Sequence, residues 1–171
     1  MNIFFLDPDP ERAAKLQADK HLGKVGILEC GQMLASAIRR HTGNPDFKWG
    51  YRHHPMTLWV GDTRRNYLFT LAYAHASARE WEYRFGKPHA GALRLPTYEA
   101  YAHVVPDGPL TVPPLCMPDE YKCGDPIESY RAYYREAKRT MARWTRRDEP
   151  AFMEAGPREP APVDEDPVVP A

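Results

Sequence analysis

Residues Ala18–His41, ADKHLGKVGILECGQMLASAIRRH, hold no proline, and their periodicity decides the fold. Leu22, Val25, Leu28, Met33, Leu34, Ala37 and Ile38 recur mostly at steps of three and four, which places them on one side of an α-helix. The polar residues are placed unusually. Lys20, His21 and Lys24 crowd the first turns, and Glu29 and Gln32 stand among apolar neighbours. Steps of four, three and four put His21, Val25, Leu28 and Gln32 on one stripe, and Glu29, four beyond Val25, borders it. A carboxylate beside an imidazole and two ammonium groups suits proton transfer. The same residues would equally serve as solvated positions or as bonds to nearby loops.

Before this stretch, Asn2–Leu6 reads as a short buried strand that Asp7-Pro8-Asp9-Pro10 ends. Such a strand would fix the N-terminus instead of leaving it free at a pocket. Asp9 as cap and Pro10 as first residue then start a helix over Glu11–Ala18. After the central stretch, Thr42–Pro55 is a loop in which Phe47, Trp49 and Tyr51 alternate with Lys48 and Arg52 before His53-His54-Pro55. Interleaved aromatic and basic residues suit stacking on bases while holding phosphates; they equally suit anchoring a long loop. A second long helix is expected over Met56–Phe85, stopped by Gly86-Lys87-Pro88. A turn-rich link, His89–Pro96, a short helix at Thr97–His103 and an extended proline-rich connector, Val104–Pro118, follow. Pro118–Cys123 reads as one helical turn. Asp125-Pro126 starts a third long helix, Ile127–Thr145, with an aromatic side and a basic one.

The expected fold is therefore mainly α: a compact single-domain bundle over 1–153 with three long helices and a short N-terminal strand. Residues 154–171 are expected to form a disordered, acidic, proline-rich tail. The formal net charge of zero hides a division. Residues 148–171 carry seven acidic side chains against Arg158 alone, a net of −6, so residues 1–147 carry +6. Such a tail, tethered near a basic body, would compete with a polyanionic ligand or merely keep the protein soluble.

No apolar run approaches a membrane span. The opening MNIFFLDPDP lacks the cationic segment and long apolar run of a signal peptide. Cys30, Cys116 and Cys123 have neither disulfide nor zinc-site spacing and read as reduced thiols, so a cytoplasmic location is expected. No metal, cofactor or protein partner is implied. Glycine-rich phosphate loops, Gly-x-Ser-x-Gly elbows and His-Glu-x-x-His pairs are absent from the sequence.

Four stretches together carry a resemblance: Ala18–Leu34, His53–Lys87, the MPDEYK of Met117–Lys122, and Ile127–Phe152. Their order and content resemble the bacteriophage pyrimidine-dimer DNA glycosylases of the endonuclease V type. The chain is more closely similar to uncharacterised phage and bacterial proteins that begin MNIF-L-D-DP and carry a DKH motif. The resemblance implies a compact helical fold on duplex DNA, with no cofactor. In the characterised enzymes an N-terminal α-amino group attacks the sugar C1′ and forms a Schiff base. A glutamate of the first long helix then supports base release and strand cleavage. Glu29 matches that glutamate and His21 a histidine upstream of it. An amine attacks only when neutral, and α-amino groups ionise at about 7.7–8.0, which leaves a useful neutral fraction at pH 7. Those enzymes expose a threonine amine; here residue 2 is Asn2, so the nucleophile would be the Met1 amine, with Lys20 or Lys24 as the alternative, or there is none of this type.

The candidate catalytic residues are thus Glu29, His21, Lys20, Lys24, Gln32 and Met1. Candidate DNA contacts are His53, His54, Arg64, Arg65, Arg84, Lys87, Lys138, Arg139, Arg143 and Arg147, which would form one basic face if the helix ends meet. A glycosylase and abasic-site lyase acting on damaged or modified pyrimidines is the first reading. A phage-type enzyme that modifies a DNA base on the same scaffold, and a non-catalytic DNA-binding protein, are the others.

Overall fold

Pro10–Leu16 (α1) leads into the central stretch, which is helical throughout but changes pitch. Asp19–His21 (α2) begin it as α-helix, Leu22–Glu29 continue as a π-helix, and Cys30–Thr42 (α3) return to α pitch. Pro55–Asp62 (α4), Arg64–Phe85 (α5), Leu95–Ala100 (α6) and Pro126–Ala137 (α7) follow. The structure, a computed structural model, describes residues 1–154. The tail expected at 154–171 lies outside the described residues from 155 onward.

The fold is mainly α, and α5 is its centre: α1, the π-segment, α3 and α4 all pack on it. Glycine sets the distance between the π-segment and α5. A Cβ on Gly23 would stand 2.6 Å from Trp81 Cζ3, and one on Gly26 would stand 2.8 Å from Ser77 Cβ. Only a residue without a side chain fits at either crossing.

The expected strand at Asn2–Leu6 is not one, and among the described residues there is no strand. The segment is buried, with Ile3 and Leu6 fully covered, but no neighbouring strand pairs with it. Side chains satisfy its backbone instead. Tyr73 Oη donates to Phe4 O (3.1 Å), Arg131 Nε to Leu6 O (2.9 Å), and Ile3 N–H is held by Asn2 Oδ1 (2.9 Å). Phe4 and Phe5 run through an aromatic core. Phe5 stacks on Phe69 at 5.3 Å between centroids, and Phe4 meets Tyr134 edge-on at 5.0 Å.

The two other long helices are shorter than their periodicity predicts. Met56–Phe85 breaks at Thr63, which is extended and caps Asn66 N–H with its side chain. The buried Asn66 amide donates to Trp59 O (2.9 Å), and its oxygen accepts from Thr111 N–H (2.9 Å). The break therefore lets the proline-rich connector bond to the core. Ile127–Thr145 ends instead at Ala137, with a 3₁₀ turn at Arg139–Met141. Beyond it Thr145 gives both its N–H and its hydroxyl to Asp19, and Trp144 Nε1 donates to Leu16 O (3.0 Å). A continued helix would carry these groups away from α1 and α2. The expected caps are in place: Asp9 accepts from Glu11 N–H and Arg12 N–H, Asp125 accepts from Glu128 N–H, and Gly86 ends α5 at φ 69°. No helix of the described residues is long and apolar enough to cross a membrane.

Candidate active site

The π-segment decides which side chains share a surface. The nine steps from Lys20 to Glu29 make two and a half turns of α-helix but close to two turns of about 4.4 residues. Lys20, Lys24 and Glu29 step by four and five and all line one cleft, together with His21 and Val25. Gln32 falls outside it. Gln32 is exposed, and its Cβ packs against Gly50. The expected stripe of His21, Val25, Leu28 and Gln32 assumed α pitch, and Leu28 too is half-exposed in consequence.

The cleft has a volume of about 310 Å³. Asn2, Phe4, Cys116, Tyr133, Lys138 and Met141 complete its walls around the Met1 amine. That amine lies 3.6 Å from Glu29 Oε2, so burial of Asn2–Leu6 delivers the N-terminus to the cleft instead of withholding it. The same carboxylate oxygen accepts Asn2 N–H at 2.8 Å. Asn2 is itself fixed: its Nδ2 donates to Cys116 O (3.0 Å), and its Oδ1 accepts from Tyr130 Oη (3.0 Å). Glu29 is therefore oriented by a backbone donor that cannot swing away. The Met1 side chain is fully covered beneath Thr57 and Gly50, which holds the amine in place.

His21 is buried and its protonation is legible from its bonds. Tyr134 Oη accepts Ala18 N–H at 2.7 Å, which leaves its single proton for His21 Nδ1 at 2.8 Å. Burial pushes the Tyr134 hydroxyl's pKa up, so that proton stays. His21 Nδ1 is then an acceptor, and the neutral ring carries its proton on Nε2, a tautomer that follows from the bonding pattern. Nε2 has no partner among the described residues and is not sealed from solvent, so it opens to the cleft. Burial, reinforced by Lys138, Lys20 and Lys24, lowers the His21 pKa to about 4. At neutral pH His21 is a fixed, uncharged N–H donor.

The three lysines make the cleft cationic. Among the described residues none of Lys20, Lys24 and Lys138 has an acidic partner within 4.0 Å. Lys138 Nζ sits 4.5 Å above the Tyr133 ring. His54 borders the site: it caps α4 through Met56 N–H, and burial and the Met1 amine lower its pKa while Glu29 acts the other way.

The basic residues expected on one DNA-binding face are divided. Arg64 and Arg65 start α5, and twenty residues of helix, about 30 Å, separate Arg64 from Arg84. Arg64 bonds Val105 O and His103 O and pairs with Asp107. Arg84 is not a DNA contact. It is 1% exposed and its guanidinium is spent on Glu80, Asp19, Gln17 O and Lys15 O. Arg147 forms a two-pronged bond to the same Glu80 at 2.9 Å and lies over Tyr83. Burial acts to raise the Glu80 pKa, but bonds from Arg147 and Arg84 outweigh it and hold the carboxyl below its ordinary range. Arg139 pairs with Glu149, and the exposed Arg143 uses its carbonyl to accept Asp19 N–H. His53 and Lys87 are exposed, and His53 accepts from Arg52 Nε.

Asn2, Tyr133, Tyr134 and Cys116 are the site neighbours that sequence reasoning missed. The paired tyrosines were visible as the aromatic side of a helix, but nothing local connects them to His21. No protein-family model, curated protein or solved structure matches the chain.

Proposed function

We propose that the chain is a DNA glycosylase with abasic-site lyase activity on damaged or modified pyrimidines. One observation carries the reading: the Met1 amine and the Glu29 carboxylate face each other across 3.6 Å in a lysine-lined cleft. In the neutral form the amine attacks C1′, and the C1′–N bond to the base breaks with its electron pair leaving on the base. Opening of the sugar ring then gives a C1′ iminium, with O4′ taking up a proton. Glu29 is within reach to accept the amine proton, to stabilise the cationic sugar and to remove a C2′ proton, which expels the 3′-phosphate. His21 Nε2–H supplies a hydrogen bond whose charge state does not change near neutral pH, suited to a sugar or phosphate oxygen. Lys20, Lys24 and Lys138 hold the phosphates on either side.

Glu29→Gln tests this reading. It keeps the volume and the Asn2 N–H bond but removes the base. Turnover of abasic duplex DNA should fall roughly 100-fold or more, the range for loss of general acid–base help, while affinity for the duplex stays within a few-fold. Full activity in Glu29→Gln would remove Glu29 from the mechanism.

A further inference from the structure

The loop Gly43–His54 contains an exposed ring held in an unfavourable backbone conformation. Tyr51 has φ 47° and is 72% exposed. Arg146 is the other non-glycine residue with positive φ among the described residues. Left-handed backbone disfavours an aromatic residue, so the surroundings must impose it. They do so on both sides. Gly50 N–H donates to Ser36 Oγ at 2.8 Å, and His54 N–H donates to Tyr51 O at 2.8 Å. Glycine is required at 50, because a Cβ there would stand 2.8 Å from Gln32 Cβ and 3.3 Å from the Met1 methyl. The residue before Tyr51 therefore packs on Met1, and the residue three beyond it, His54, feels the charges of the Met1 amine and Glu29. Two residues before Tyr51, the Trp49 ring has the guanidinium groups of Arg39 and Arg52 within 5.7 and 5.6 Å of its centroid. Phe47 is the residue that anchors the loop, buried against Tyr101. Tyr51 anchors nothing.

Resting on the proposed glycosylase and lyase reading, we infer that Tyr51 is a wedge that fills the gap in the DNA stack while a nucleotide is turned out toward the Met1 amine. An amine lining a cleft cannot reach C1′ inside a duplex unless that nucleotide leaves the stack. The vacated space is costly, and inserted side chains of enzymes and architectural proteins commonly occupy it. A rigidly presented, unpartnered aromatic ring on the loop that packs on the Met1 side chain meets that need, and Arg39 and Arg52 around Trp49 supply cations for the flanking phosphates.

The test compares borohydride trapping of an abasic oligonucleotide as a duplex and as a single strand. Tyr51→Phe keeps the ring. Tyr51→Gly removes it while suiting the φ of 47°, so the loop keeps its path. On the duplex, Tyr51→Gly should trap roughly 10-fold or more slowly than the parent, within the range for losing one aromatic–base stack, and Tyr51→Phe should match the parent. On the single strand, where no stack needs filling, all three should trap alike. Equal duplex rates for the parent and Tyr51→Gly would overturn the wedge, as would an equal loss on both substrates. If the parent traps neither substrate, the glycosylase and lyase reading fails and the wedge falls with it. Trapping by the parent with an indifferent Tyr51 removes the wedge alone.

Discussion

Gly26→Ala probes the feature on which the site depends, the close seating of the π-segment on α5. The added methyl would stand 2.4 Å from Ser77 Oγ, 2.8 Å from Ser77 Cβ and 3.1 Å from Gln17 Nε2. The hydroxyl can rotate away, but the Ser77 Cβ is fixed to its backbone, so the two helices must part. Overpacking of this kind costs about 1–3 kcal/mol, and contact with a backbone-fixed atom argues for the upper end. Alanine recovers about 1 kcal/mol of helix propensity relative to glycine, leaving a net loss of about 2 kcal/mol. For a domain of this size that corresponds to a fall of roughly 4–8 °C in Tm. Urea and thermal unfolding followed by circular dichroism give both numbers. The pair Gly26→Ala with Ser77→Gly removes the obstructing atoms and exchanges one helix glycine for another, so it should return close to the parent. A Gly26→Ala protein as stable as the parent, or a double variant as unstable as the single one, would refute the claim that this contact seats the π-segment.

Two further predictions concern the charged groups. His21 has a pKa of about 4 in the folded state against about 6.5 unfolded, so between those values the unfolded chain binds a proton that the folded chain refuses. Stability should therefore be intact above pH 6.5 and fall by about 3 kcal/mol as the pH drops through 4; urea midpoints should show a shallower acid slope in His21→Gln, and identical slopes would contradict the buried neutral imidazole. Arg84→Met leaves Asp19 and two backbone carbonyls without their cation and Glu80 with Arg147 alone, and should cost about 3–5 kcal/mol. An unchanged unfolding midpoint with weakened DNA binding would instead return Arg84 to the nucleic-acid surface.

What the sequence made legible was local. Asp9-Pro10, Asp125-Pro126 and Gly86 mark helix ends because a cap is formed by neighbours along the chain, and the helical class follows from apolar spacing. What it concealed depends on partners far along the chain. The break at Thr63 follows from Asn66 meeting Thr111, and the end of α7 follows from Thr145 reaching Asp19. The change to π pitch at Leu22–Glu29 has glycines against Trp81 and Ser77 as its only local trace, and glycine at such places reads first as a weak helix. That change gathers Lys20, His21, Lys24 and Glu29 at one cleft and leaves Gln32 outside it. Arg84 shows the limit of reading charge as surface, since nothing near it in sequence reveals the carbonyls of α1 and of Gln17 that enclose its guanidinium.

The central claim is that the Met1 amine, oriented beside Glu29, is the nucleophile. Trapping with borohydride on an abasic duplex, followed by proteolysis and mass spectrometry of the cross-linked peptide, reads the bond directly. A single adduct is expected, located on the α-amino group of Met1 and absent when that amine is acetylated beforehand. An adduct on Lys20 or Lys24, or no adduct at all on DNA that the protein binds, would contradict it.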